Sequence, residues 1–167
     1  MMLTSKRFDL VRRAALCATL TLLISACAAP QKPLNVADTI ANTPSLSTLN
    51  GLITTAGLTA DLQSAGPFTV FAPSNEAFKA VKPATLEDLS KNPAKLKDLL
   101  RFHVVPGMTL AKDVKNSTVK AINGDPLALS KAGDFVTVEN AAVVQADVLA
   151  TNGVVHIVDA VMMPAKK

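Results

Sequence analysis

The side chains able to do chemistry are few and widely spaced. The chain has two histidines, His103 and His156, and two cysteines, Cys17 and Cys27. A metal centre built on the histidines needs carboxylates brought in from elsewhere, because zinc takes three or four protein ligands. Asp159 lies three residues after His156 in a β-branched run, so on a strand the two side chains point to opposite faces. His156 instead shares a face with Val154 and Val158. That places its ring inward, where it needs a hydrogen-bond partner, and Thr69, Ser74 and Asn75 are the candidates. Ser74 sits in Ala-Pro-Ser-Asn, without the Gly-x-Ser-x-Gly elbow that exposes a serine oxygen on a strained turn. A helix cap accounts for it more simply. No phosphate-binding glycine loop, zinc spacing, heptad or repeat is visible in the sequence. The expectation is a protein that is not an enzyme, with no catalytic residues, cofactor or metal.

The covalent chemistry the sequence does predict is at Cys27. Residues 1–26 form a lipoprotein signal peptide: basic residues Lys6, Arg7, Arg12 and Arg13, an apolar run from Ala14 to Ile24, then small residues before a cut. The run is too short to span a bilayer. Ile24-Ser25-Ala26-Cys27 resembles a bacterial lipobox, in which the cysteine thiol accepts a diacylglyceryl group and becomes the new N-terminus. Cys17 is inside the apolar run; a plain signal peptidase site near Ala26 to Ala29 is the alternative. An acylated Cys27 leaves no intramolecular disulfide, so the exported domain must be held by its core, in keeping with 49% hydrophobic residues. Residues 27–33 make a short tether that reaches about 20 Å beyond the cysteine. A single domain over 34–164 and a basic tail over 165–167 complete the chain. Ala28, rather than an aspartate, follows the cysteine, so the expected location is the outer membrane if the source is a diderm bacterium.

The formal charge of +4 comes largely from the leader, where four basic residues face only Asp9. The remainder has 13 basic and 12 acidic side chains, which offers no electrostatic footprint for a nucleic acid.

The elements that would position these residues are organised around Gly66 to Phe78, which holds three of the six phenylalanines. Phe68, Val70 and Ala72 would line one face of a strand and Thr69 and Phe71 the other, so the strand is expected to be covered on both sides. Pro73 ends it, Ser74 or Asn75 caps a short helix, and Phe78 returns a ring to the interior. Upstream, one helix is expected over 34–41, and a second from Thr43-Pro44 through Leu46, Leu49, Ile53 and Ala56, stopped at Gly57. Thr85-Leu86-Glu87-Asp88 has the outline of a capping box. Asn92-Pro93 starts a further helix with Leu96, Leu99, Leu100 and His103 in one stripe. After residue 107 the texture changes to short strands: around 119–122, 127–129, 135–138, 143–148 and 154–158. Helices first and strands later argue for an α+β fold.

Thr69-Val70-Phe71-Ala72-Pro73-Ser74-Asn75-Glu76-Ala77-Phe78 resembles the first signature of the fasciclin domain family. Asn152-Gly153-Val154-Val155-His156-Ile157-Val158-Asp159 resembles the second, and Phe102-His103 resembles the family's tyrosine-histidine segment, with phenylalanine for tyrosine. The resemblance covers residues 34–164. It implies a wedge of about seven β-strands with helices packed against it. It also implies an extracytoplasmic cell adhesion or interaction module for a protein or polysaccharide partner, anchored to the membrane through the lipid on Cys27. The rival reading is an envelope lipoprotein that binds a small molecule or glycan in a pocket between sheet and helices. Some animal fasciclin domains carry an aspartate-isoleucine pair implicated in integrin binding, and Asp147-Val148 is similar to it. A local structural role for Asp147 at a strand end or turn is the competing explanation.

Overall fold

The structure, a computed structural model, describes residues 34–164. The leader 1–26, Cys27, the tether and the tail 165–167 lie outside the described residues.

Six helices and seven strands follow one another as α1 (Val36–Ala41), α2 (Ser47–Thr55), α3 (Thr59–Gln63), β1 (Phe68–Pro73), α4 (Asn75–Ala80), α5 (Pro83–Lys91), α6 (Pro93–Phe102), β2 (Val104–Pro106), β3 (Ser117–Lys120), β4 (Pro126–Ala132), β5 (Phe135–Val138), β6 (Ala141–Ala150) and β7 (Gly153–Val158). The strands form one sheet in the order β2-β1-β7-β6-β5-β4-β3. Only β1 and β7 run parallel, with Phe71 opposite His156; every other pair is antiparallel. The Ile122 N–H, just past β3, donates to the Val104 carbonyl in β2 at 2.8 Å. The sheet thus curls until its two ends meet, giving a nearly closed wedge.

The two faces of β1 explain this architecture. Val70 and Ala72 join a cluster with Ile40, Leu49, Ile53, Leu96, Leu99, Val155 and Ile157, which is the helix-covered side. Phe71 points the other way, into Phe102, Val105, Leu127, Val138, Val158 and Met162, inside the curl. Successive buried side chains along a strand are tolerated only where both faces are dry. All six residues of β7 are likewise buried. On β4, by contrast, buried and exposed residues alternate, as expected of strands with one wet face.

Several local starts differ from the sequence expectations. The first helix begins at Val36, with Asn35 accepting from the Asp38 N–H at 2.9 Å. Pro44–Leu46 forms a 3-10 turn before α2, and Gly57, just past the end of α2, takes φ 67°. A separate helix, α3, follows, with Leu58 at its N-cap position and Leu62 buried within it. The Thr85 capping box is not used, because Pro83 has already supplied the first helical position of α5. Asn92 stands at the N-terminus of α6 without a side-chain capping bond; its amide donates back to the Asp88 carbonyl and carboxylate at 2.9 Å. The strand expected over 119–122 falls at Ser117–Lys120, since Ile122 turns away to meet Val104.

Candidate functional site

The signature residues converge on the β1–β7 seam. Phe71 and His156, paired across it, stack with ring centroids 5.5 Å apart and planes at 23°. His156 Nε2 lies 2.8 Å from the Thr109 carbonyl oxygen, and His156 Nδ1 accepts from the Asp147 N–H at 3.2 Å. A carbonyl requires a donor and an amide an acceptor, so this ring is neutral with its proton on Nε2. Its partners are therefore Thr109 and Asp147, not Thr69, Ser74 or Asn75. The reason is directional: those three are committed elsewhere. Thr69 donates to the Gly107 carbonyl at 2.7 Å and accepts from the Thr109 N–H at 2.9 Å. Ser74 caps α4, accepting from the Ala77 N–H at 3.2 Å. Asn75 accepts from the Thr48 N–H and donates to the Pro44 carbonyl, both at 3.0 Å, pinning the start of α2.

His103 is used in the same way with the opposite tautomer. Nδ1 sits 2.8 Å from the Leu99 carbonyl oxygen, and Nε2 accepts from the Met162 N–H at 3.2 Å. Burial pushes its pKa down to about 4, against the smaller opposing effect of the Leu99 hydrogen bond. Phe102, where the family has tyrosine, is buried with its ring edge-on to His103.

Asn152 is the busiest side chain of the second signature. It accepts from the Val36 N–H and donates to the carbonyls of Leu62 and Ser64, each at 2.8 Å, so one amide ties α1 and the end of α3 to the head of β7. Gly153 is required by close approach: a Cβ there would collide with the Phe68 carbonyl oxygen. Asp159 is exposed, whereas His156 is buried, and accepts from the Ala142 N–H at 2.7 Å.

Asp147 lies at an irregularity in β6, where the register against β7 shifts between Gln145 and Val148. It is exposed, with φ 57°, and its carboxylate accepts from the Ala111 N–H at 2.8 Å. Val148 is half-buried against the helix-side cluster. Thr109 and Ala111 were not singled out in the sequence; they act through backbone atoms, which leave no side-chain signal. Among the described residues no group of three or more His, Cys, Asp or Glu side chains is placed to hold a metal ion. No helix among them is long and apolar enough to cross a membrane.

The fasciclin domain model matches residues 44–164. The chain belongs to the fasciclin domain family. It is 38% identical over 139 residues to protein sll1483 of Synechocystis sp., covering 82% of this chain and 77% of that protein. Pig transforming growth factor-beta-induced protein ig-h3 is 36% identical over 130 residues, which cover 77% of this chain but only 19% of the relative. Among solved structures, the FAS1 domain pair of the insect cell adhesion molecule fasciclin I aligns with a TM-score of 0.61 at 27% identity, over 71% of this chain and 45% of that one. The chain spans most of sll1483 but about a fifth of ig-h3 and less than half of the fasciclin I chain.

Proposed function

We propose that this fasciclin domain is a non-catalytic cell adhesion and interaction module, held at the outside of the cell envelope by a lipid on Cys27 and binding a protein or polysaccharide partner. The observation that carries the reading is how the signature residues are spent. The imidazoles of His103 and His156 and the side-chain amide of Asn152 are bonded to backbone groups, so the motifs build a frame and leave no nucleophile or base at a cleft. Function then falls to what the frame holds outward. Asp147, fixed in a left-handed conformation between the 109–111 segment and β7, is the candidate contact, with Val148 beneath it. Kinship with a domain pair from a cell adhesion molecule supports the same role by family analogy.

The test is crosslinking on intact cells followed by capture of the tagged protein, comparing the parent with Asp147→Asn. Asparagine tolerates the left-handed backbone and keeps an acceptor for the Ala111 N–H, while losing the charge. The expected result is weakened capture with an unchanged melt. Equal capture by Asp147→Asn removes this residue as the contact. Failure to capture any envelope or matrix component counts against the adhesion reading itself.

A further inference from the structure

One pocket in the domain is used by none of the signature residues' chemistry. It has a volume of about 220 Å³ and opens between α2, α3 and α6 on one side and β1 and β2 on the other. Leu49, Ile53, Leu58, Leu62, Val70 and Leu100 give it hydrocarbon walls. His103 also reaches it, but both ring nitrogens are already bonded to backbone, so it offers a ligand no polar atom. Charge enters only from Asp61 and Arg101. These two approach to 3.7 Å, with side chains 58% and 43% exposed respectively, beyond the distance of a direct hydrogen bond.

That combination selects a ligand by chemistry. A hydroxyl between the two groups donates to the Asp61 carboxylate and accepts from the Arg101 guanidinium, satisfying both. A carboxylate head gains Arg101 but meets Asp61 as a like charge, and an ammonium head meets the reverse. We infer that the pocket binds a neutral aliphatic alcohol, its hydrocarbon tail between α2, α6 and β1 and its hydroxyl between Asp61 and Arg101. The adhesion reading does not require this site. Size sets the tail length: a dry cavity of about 150 Å³ accepts benzene, so by proportion this one takes roughly nine carbons. A longer chain continues out through the mouth, past Ile122, which lines the pocket and is 44% exposed.

Calorimetric titration of the full chain with 1-butanol, 1-hexanol, 1-octanol, 1-decanol, 1-dodecanol and octanoate tests the assignment. Each methylene buried is worth about 0.8 kcal/mol, so affinity is expected to rise about fourfold per carbon up to octanol and to level off beyond decanol. Octanoate is expected to bind at least tenfold more weakly than octanol. Asp61→Asn, at an exposed position, is expected to narrow that gap without moving the melt. Ile122→Trp is expected to plug the mouth and abolish octanol binding in a protein that melts like its parent. Absence of saturable octanol binding overturns the proposal. So does octanoate binding as tightly as octanol, an undiminished gain from decanol to dodecanol, or full binding by a folded Ile122→Trp protein.

Discussion

At the scale of single residues, His103 carries the sharpest consequence. His103 is neutral in the folded protein, with its pKa lowered from 6.5 to about 4 by burial, whereas in the unfolded chain it titrates near its ordinary value. Below about 6.5 the unfolded state therefore binds the extra proton. The stability contributed by a neutral His103 is complete above that pH and is lost as the pH falls towards 4, by about 3 kcal/mol over the window. Urea titrations at pH 7 and pH 4.5 should show this loss in the parent and a smaller one in His103→Gln, whose amide retains a donor and an acceptor. An equal loss in both proteins would place the acid sensitivity elsewhere. Phe71, 1% exposed and stacked on His156, is the matching apolar case. Removing its ring leaves a cavity inside the curl, and Phe71→Ala is expected to cost about 3 to 5 kcal/mol, read as a large drop in melting temperature. A melt within a degree or two of the parent would contradict its place in the core.

At the scale of elements, the β1–β7 pairing depends on backbone proximity. Gly153→Ala drives a methyl group into the Phe68 carbonyl, and is expected to cost about 1 to 3 kcal/mol in denaturant titration, since the obstacle is main chain rather than a side chain that can swing aside. Asp147→Ala is also expected to destabilise, by about 1 to 2 kcal/mol, although the position is exposed. Alanine resists φ 57° and abandons the Ala111 N–H. Melting curves of Asp147→Ala and Asp147→Asn side by side separate this structural cost from partner binding.

Much of this layer was legible in the sequence. The opposite faces of β1, the inward ring of His156, the Ser74 cap and the Gly57 stop all follow from side-chain period and turn chemistry acting within a few residues. The partners of His156 did not follow, because Thr109 O and Asp147 N–H are main-chain groups 47 and 9 residues away. The Thr85 capping box misleads because several residues near a helix start carry capping chemistry, and Pro83 decides which one begins the turn. The Asp61–Arg101 pair was invisible for the same reason as the Thr109 contact: it joins α3 to α6 across forty residues, where no local pattern operates.

At the scale of the whole molecule, the lipid anchor is the decisive expectation. Cys27→Ser should abolish incorporation of labelled fatty acid and move the protein from the detergent phase to the aqueous phase. Continued labelling of Cys27→Ser would defeat the lipobox assignment. With a tether that reaches only about 20 Å, an anchored domain stays near its membrane, so a partner must itself come close to that surface.

The order of the strands has a further consequence in time. The sheet places β7, residues 153–158, between β1 and β6, so a segment near the C-terminal end of the domain supplies the partner for its first strand, more than eighty residues earlier. Closing a loop of that length carries an entropic cost that must be met before the pairing gives anything back, which makes such topologies slow to fold. While β7 is still unmade, β1 has only β2 beside it, and Asn152 is not there to gather α1 and α3. The join between β1 and the β3–β6 meander therefore waits until residues 153–158 have been made. Closure of the wedge is the last step of the domain's assembly.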